Sequence, residues 1–152
     1  MKNDLGFILL SIENNEMFHN LLSSIKSFID HNPYKQICIF NSDSDKVNTF
    51  NIPLLHIKQA KFFHGDIIVF DVLSLMLIKN FPNLKNKYFF VNSIPWEQNG
   101  FSFSEWKSLI EQDNLQIIAQ NESIYDIFDI CWKKPLGIGE NFSYETISKF
   151  IQ

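Results

Sequence analysis

Short runs that are apolar at nearly every position, separated by stretches of helical periodicity, constrain this chain more than any other feature. Residues 7–12 (FILLSI), 36–40 (QICIF), 67–70 (IIVF), 88–91 (YFFV) and 115–119 (LQIIA) show no regular apolar–polar alternation. A strand with one wet face alternates, whereas one that is apolar throughout is covered on both sides. Residues 53–57 and 135–138 predict two further, shorter strands.

Helical patterns fill the intervals. Met17, Phe18, Leu21, Leu22, Ile25, Phe28 and Ile29 recur at the spacing of an amphipathic helix, and Asn32-Pro33 stops it. Asp71 is read as the cap of a helix over 72–79. That segment is apolar almost all round, so it is expected to be buried on most sides. Residues 104–112 predict another helix. Residues 121–123 open a fourth, with Ile124, Ile127, Phe128 and Cys131 on one face, and Ser143 caps a last helix over 143–151. Strand and helix in alternation predict an α/β fold: one Rossmann-like domain over residues 1–152. Its mostly parallel sheet has about six or seven strands, with helices on both faces.

Composition narrows the function classes. With 152 residues and 45% hydrophobic content, the chain can bury a core without disulfides or metals. Cys38 and Cys131, far apart in sequence, form neither a disulfide framework nor a zinc motif, and reduced cytoplasmic thiols are expected. No signal peptide and no membrane span are expected. The net charge is −4 and no Lys cluster stands out, so nucleic acid is not an expected partner. Every basic residue is Lys. Without Arg the chain lacks the planar fork that grips phosphate in bidentate fashion.

In an open parallel sheet, ligands bind beyond the carboxyl ends of the strands, near the point where strand order reverses. The first such loop, Ser11-Ile12-Glu13-Asn14-Asn15-Glu16, has no glycine and two carboxylates, so it does not offer the cradle that a dinucleotide pyrophosphate requires. No cofactor is expected. Other loop residues at this rim are Asn41, Ser42, Ser44, Asp71, Asn92, Ser93, Gln120, Asn121, Glu122 and Ser123. Asp43 and Asp45, in a D-S-D triplet after the second strand, are hard carboxylates at a spacing that suits Mg²⁺ or Mn²⁺; a turn or capping role outweighs that reading. Of the four histidines, His19 is the one placed to face the strand ends. Trp96, next to Pro95, suits either stacking on a sugar ring or capping of the strand end, and the cap is favoured.

Four segments in order resemble the N-terminal half of GT-B glycosyltransferases. Residues 66–71 (DIIVFD) lead into a short apolar helix, and 88–96 (YFFVNSIPW) resemble the strand and loop that follow. Residues 115–126 (LQIIAQNESIYD) and 135–144 (PLGIGENFSY) are similar to the family's later strand–helix start and to the segment leading toward its second domain. The resemblance implies an acceptor-side domain that engages a sugar or glycan acceptor through Asn14, Asn92, Ser93, Trp96, Asn121, Glu122 and Ser123. Glu13, His19 and Asp71 are then the candidate catalytic residues. It also implies inactivity in isolation, because these enzymes hold the nucleotide sugar mainly in a second domain. That half would be a separate chain or be missing. The rival reading is a non-catalytic Rossmann-like or flavodoxin-like module for binding or assembly, including assembly into a homo-oligomer.

Overall fold

The computed structural model describes residues 4–10, 16–31, 36–42, 51–97 and 100–151. Six strands form one sheet: β1 (Asp4–Ile8), β2 (Ile37–Asn41), β3 (Leu54–His56), β4 (Gly65–Val69), β5 (Asn86–Val91) and β6 (Leu115–Ala119). Every pair is parallel, and the order is β3-β2-β1-β4-β5-β6. This is the order of a Rossmann-type doubly wound sheet, which reverses direction between β1 and β4. Register is set across that centre: Phe7 lies opposite Ile39 on one side and Ile68 on the other.

Helices cover both faces, which is why the strands need no polar side. Helix α1 (Glu16–His31) presents Phe18, Leu22, Ile25 and Phe28 to one face, where Leu5, Phe7, Ile39, Ile68 and Phe90 point. The short α5 (Tyr144–Ile147) joins the same layer through Ile147. On the other face α2 (Val72–Ile78), α3 (Phe103–Ile110) and α4 (Glu122–Cys131) pack over Ile67, Val69, Phe89, Val91 and Ile117. Each of these three helices starts at a side-chain cap: Asp71 accepts from the Ser74 N–H, Ser102 from Glu105 and Asn121 from Ile124. Glu105 returns the bond to the Ser102 N–H at 2.8 Å, completing a capping box.

Four expectations are corrected. The first strand covers Asp4–Ile8, ahead of the expected 7–12, because pairing with β2 and β4 draws residues 4–6 into the sheet; residues 11 and 12 lie outside the described residues. Among the described residues no seventh strand forms. Residues 136–139 run beside β6 with three backbone hydrogen bonds of 2.8–3.0 Å but make one isolated bridge, Ala119 to Ile138. Pro135 lacks an N–H, and the chain turns away after Gly139. Helix α2 is not buried on most sides: Leu73 is 63% exposed, and Met76 and Leu77 also face out, because the helix lies in the outermost layer and only one side meets the sheet. The last helix is one turn, 144–147, not 143–151; Ser143 is its cap, as expected.

Two lysines, Lys87 buried and Lys133 half-buried, tie down the amino-terminal edge. Lys87 Nζ donates to the Lys79 carbonyl at 3.1 Å and to Gln112 Oε1 at 2.9 Å, while Lys133 Nζ donates to the carbonyls of Gln112 and Leu115. Burial pushes both ammonium groups below their ordinary value, and the Asp113 carboxylate partly offsets this at Lys133. Among the described residues no helix is long and apolar enough to cross a membrane.

Candidate functional site at the strand-order switch

The reversal between β1 and β4 leaves a gap at the carboxyl rim, since the chain leaves the two strands toward opposite faces. A groove of about 1090 Å³ opens at this rim. Its first wall is one side of α1, along which Glu16, Asn20, Ser23 and Ser24 recur at helical spacing. Its floor is aromatic, formed by Phe70 beyond β4, Phe90 of β5 and Phe142. Asn92, Gln120 and Asn141 add three carboxamides from three different segments, and Ser143 completes the rim.

The floor is held by ring packing. Phe142 is buried and touches Phe70 at 4.8 Å and Phe90 at 5.0 Å between centroids, both edge-to-face; Phe7 and Phe28 lie at 6.1 and 6.0 Å. This packing fixes an unusual backbone. Asn141 and Phe142 have φ of 52° and 50°, the left-handed region, where a bulky side chain is rare. Two consecutive residues held there persist only when their surroundings over-determine them, and such strain gathers at ligand clamps. Here it turns the Asn141 side chain onto the groove rim while the next ring goes into the core.

A smaller cavity of about 240 Å³ adjoins the groove through the shared residues Phe70 and Asn92, and is lined further by Asp71, Ser93 and Pro95. Asn92 therefore borders both spaces. Asp71 is committed to its helix: one carboxylate oxygen accepts from the Ser74 N–H and the other from its hydroxyl, both at 2.8 Å. Trp96 stands in an aromatic cluster with Trp106, Phe128 and Trp132, at 5.5–5.7 Å between centroids, and does not line the groove. Asn121 accepts from the Ile124 N–H at 3.0 Å as the cap of α4, and Glu122 and Ser123 are exposed in its first turn. His19 is exposed on α1 but lies outside the lining set. Glu13, Asn14, Asp43, Ser44 and Asp45 fall outside the described residues. Among the described residues no group of three His, Cys, Asp or Glu side chains is placed to hold a metal ion.

Of the expected site residues, the groove and its annex thus gather Asp71, Asn92 and Ser93. Gln120 also lines the groove, as its place at the strand-end rim predicts, and so does Glu16, the last residue of the first rim loop. Sequence reasoning missed Asn20, Ser23, Ser24 and Asn141. The signal for the α1 residues was present, as the polar side of the first amphipathic helix beside the first strand. A third cavity of about 380 Å³ lies between α2 and α3, but Glu105 there belongs to the capping box and Lys79 donates to Ser108 at 2.5 Å.

No family model matches the chain, and neither curated proteins nor solved structures give a significant match.

Proposed function

We propose that this chain is a glycosyltransferase-like domain akin to the acceptor-side half of GT-B enzymes, holding a glycan without transferring sugar by itself. The observation that carries this reading is the makeup of the switch-point groove: carboxamides and hydroxyls around an aromatic floor. A sugar ring has the same division, with polar edges for hydrogen bonding and apolar C–H faces that suit aromatic rings. All four of the segments that resemble the family contribute to this groove, through Phe70, through Phe90 and Asn92, through Gln120, and through Asn141, Phe142 and Ser143.

Transfer needs a second set of groups. A nucleotide diphosphate calls for a guanidinium fork, a Lys or a glycine-rich backbone cradle. The chain has no Arg, and none of the described groove residues is Lys or Gly. In GT-B enzymes the second domain supplies that site. Incubating the chain with UDP- and GDP-sugars and a panel of oligosaccharides tests the proposal. Oligosaccharide binding without nucleotide-sugar hydrolysis is expected; robust turnover, or no oligosaccharide bound, rejects it.

A further inference from the structure

The groove's charge narrows its ligand further. Among the described residues that line it, Glu16 is the one ionisable side chain; the others are amides, hydroxyls or apolar. Glu16 sits in the first turn of α1, on the same stripe as Asn20 and Ser23, so its carboxylate borders the space the ligand enters. The wall has no described cation to balance it, and the chain as a whole carries −4. A carboxylate in the first turn also takes the place at the helix start where a ligand phosphate would be stabilised.

We infer that the groove selects uncharged or amino-bearing sugars and rejects anionic ones, with Glu16 as the specificity-determining residue. This inference rests on the glycan-binding reading above and adds its substrate class. Asn20, Asn92, Gln120 and Asn141 offer donors and acceptors in equal number, which suits hydroxyls that both give and receive a proton. A uronate or a sugar phosphate brings a second negative charge close to Glu16. At about 5 Å, and with a dielectric between that of water and a protein surface, such a pair costs roughly tenfold in affinity.

The test is a set of matched titrations followed by amide NMR shifts. The probes are the methyl glycosides of glucose, galactose and mannose, the corresponding uronates, and glucosamine. For whichever configuration binds, the neutral glycoside or amino sugar is expected to bind at least about tenfold more tightly than the uronate. In Glu16→Gln, a nearly isosteric change on an exposed helix position, that ratio falls below about threefold. Equal or tighter uronate binding overturns the inference and leaves the glycan reading standing, as does a ratio that Glu16→Gln does not change. If no probe shifts any groove residue, the glycan reading falls and the inference falls with it.

Discussion

Gly65→Ala tests the centre of the sheet, on which the groove's position depends. Gly65 opens β4 and pairs with Asp4 of β1. A Cβ there would stand 2.4 Å from the Asp4 carbonyl oxygen and 3.0 Å from its carbonyl carbon, where Cβ atoms in proteins essentially never come within 3.0 Å. The obstacle is backbone, so no rotamer change relieves it. Strands β1 and β4 must part by roughly 0.6 Å, against neighbours packed at crystal-like density. Overpacking of this kind costs about 1–3 kcal/mol, and the rigid obstacle places Gly65→Ala at the upper end. In urea the midpoint should fall by roughly 1 M with an unchanged slope. Gly100→Ala is the control. Its φ is +60° and nothing lies within 4 Å of the added atom, so only backbone strain of about 1 kcal/mol is expected. A loss below about 0.5 kcal/mol in Gly65→Ala would refute the reasoning, because β1 and β4 could not then be adjacent in this register.

Three further outcomes follow from the packing and the charges. Phe142→Ala should destabilise the fold by about 3–5 kcal/mol and Phe142→Leu by less, both measured by denaturant unfolding; equal effects would mean that the ring contacts are not what hold residues 141–143. The Lys87 ammonium titrates below its ordinary 10.5, so the unfolded chain binds more protons between the lowered value and 10.5, and folding gains stability as pH rises through that window. The stability of the wild type relative to Lys87→Met should therefore grow as pH climbs toward 10.5, and a flat difference would contradict the assignment. Burial, aided by the Asp4 carboxylate, pushes the Cys38 thiol up to about 12, while Cys131 is exposed. A thiol reagent should label Cys131 alone in the native protein and both cysteines after denaturation; rapid native labelling of Cys38 would show that β2 is not enclosed.

The elements that were legible in the sequence are those whose boundaries are local. Strand β6 matches its expected span at both ends, because Asn114 and Gln120 bracket a run that is apolar at all but one position. The caps Asp71 and Ser143, and the helix start at residues 121–123, were legible for the same reason: each cap acts on residues within three positions of itself. Errors arose where a distant partner decides. The start of β1 depends on pairing with β2 and β4, and the exposure of α2 depends on what lies outside it, which periodicity does not carry. The candidate site divides along the same line. Asn92 and Ser93 follow from the rule that strand ends carry ligands, which needs only the strand. The α1 wall and the Asn141–Phe142 turn join the groove only once the order β3-β2-β1-β4-β5-β6 has brought the first helix and residues 139–144 to the same face.

A crystal structure of the chain with the tightest-binding neutral glycoside measures the central claim directly. The sugar should lie in the groove between α1 and residues 141–143, with a C–H face toward Phe90 and Phe142 and hydroxyls on Asn20, Asn92 or Gln120. A sugar seated instead in the cavity between α2 and α3, or beside Glu122 and Ser123, would contradict the claim that the strand-order switch is the binding site.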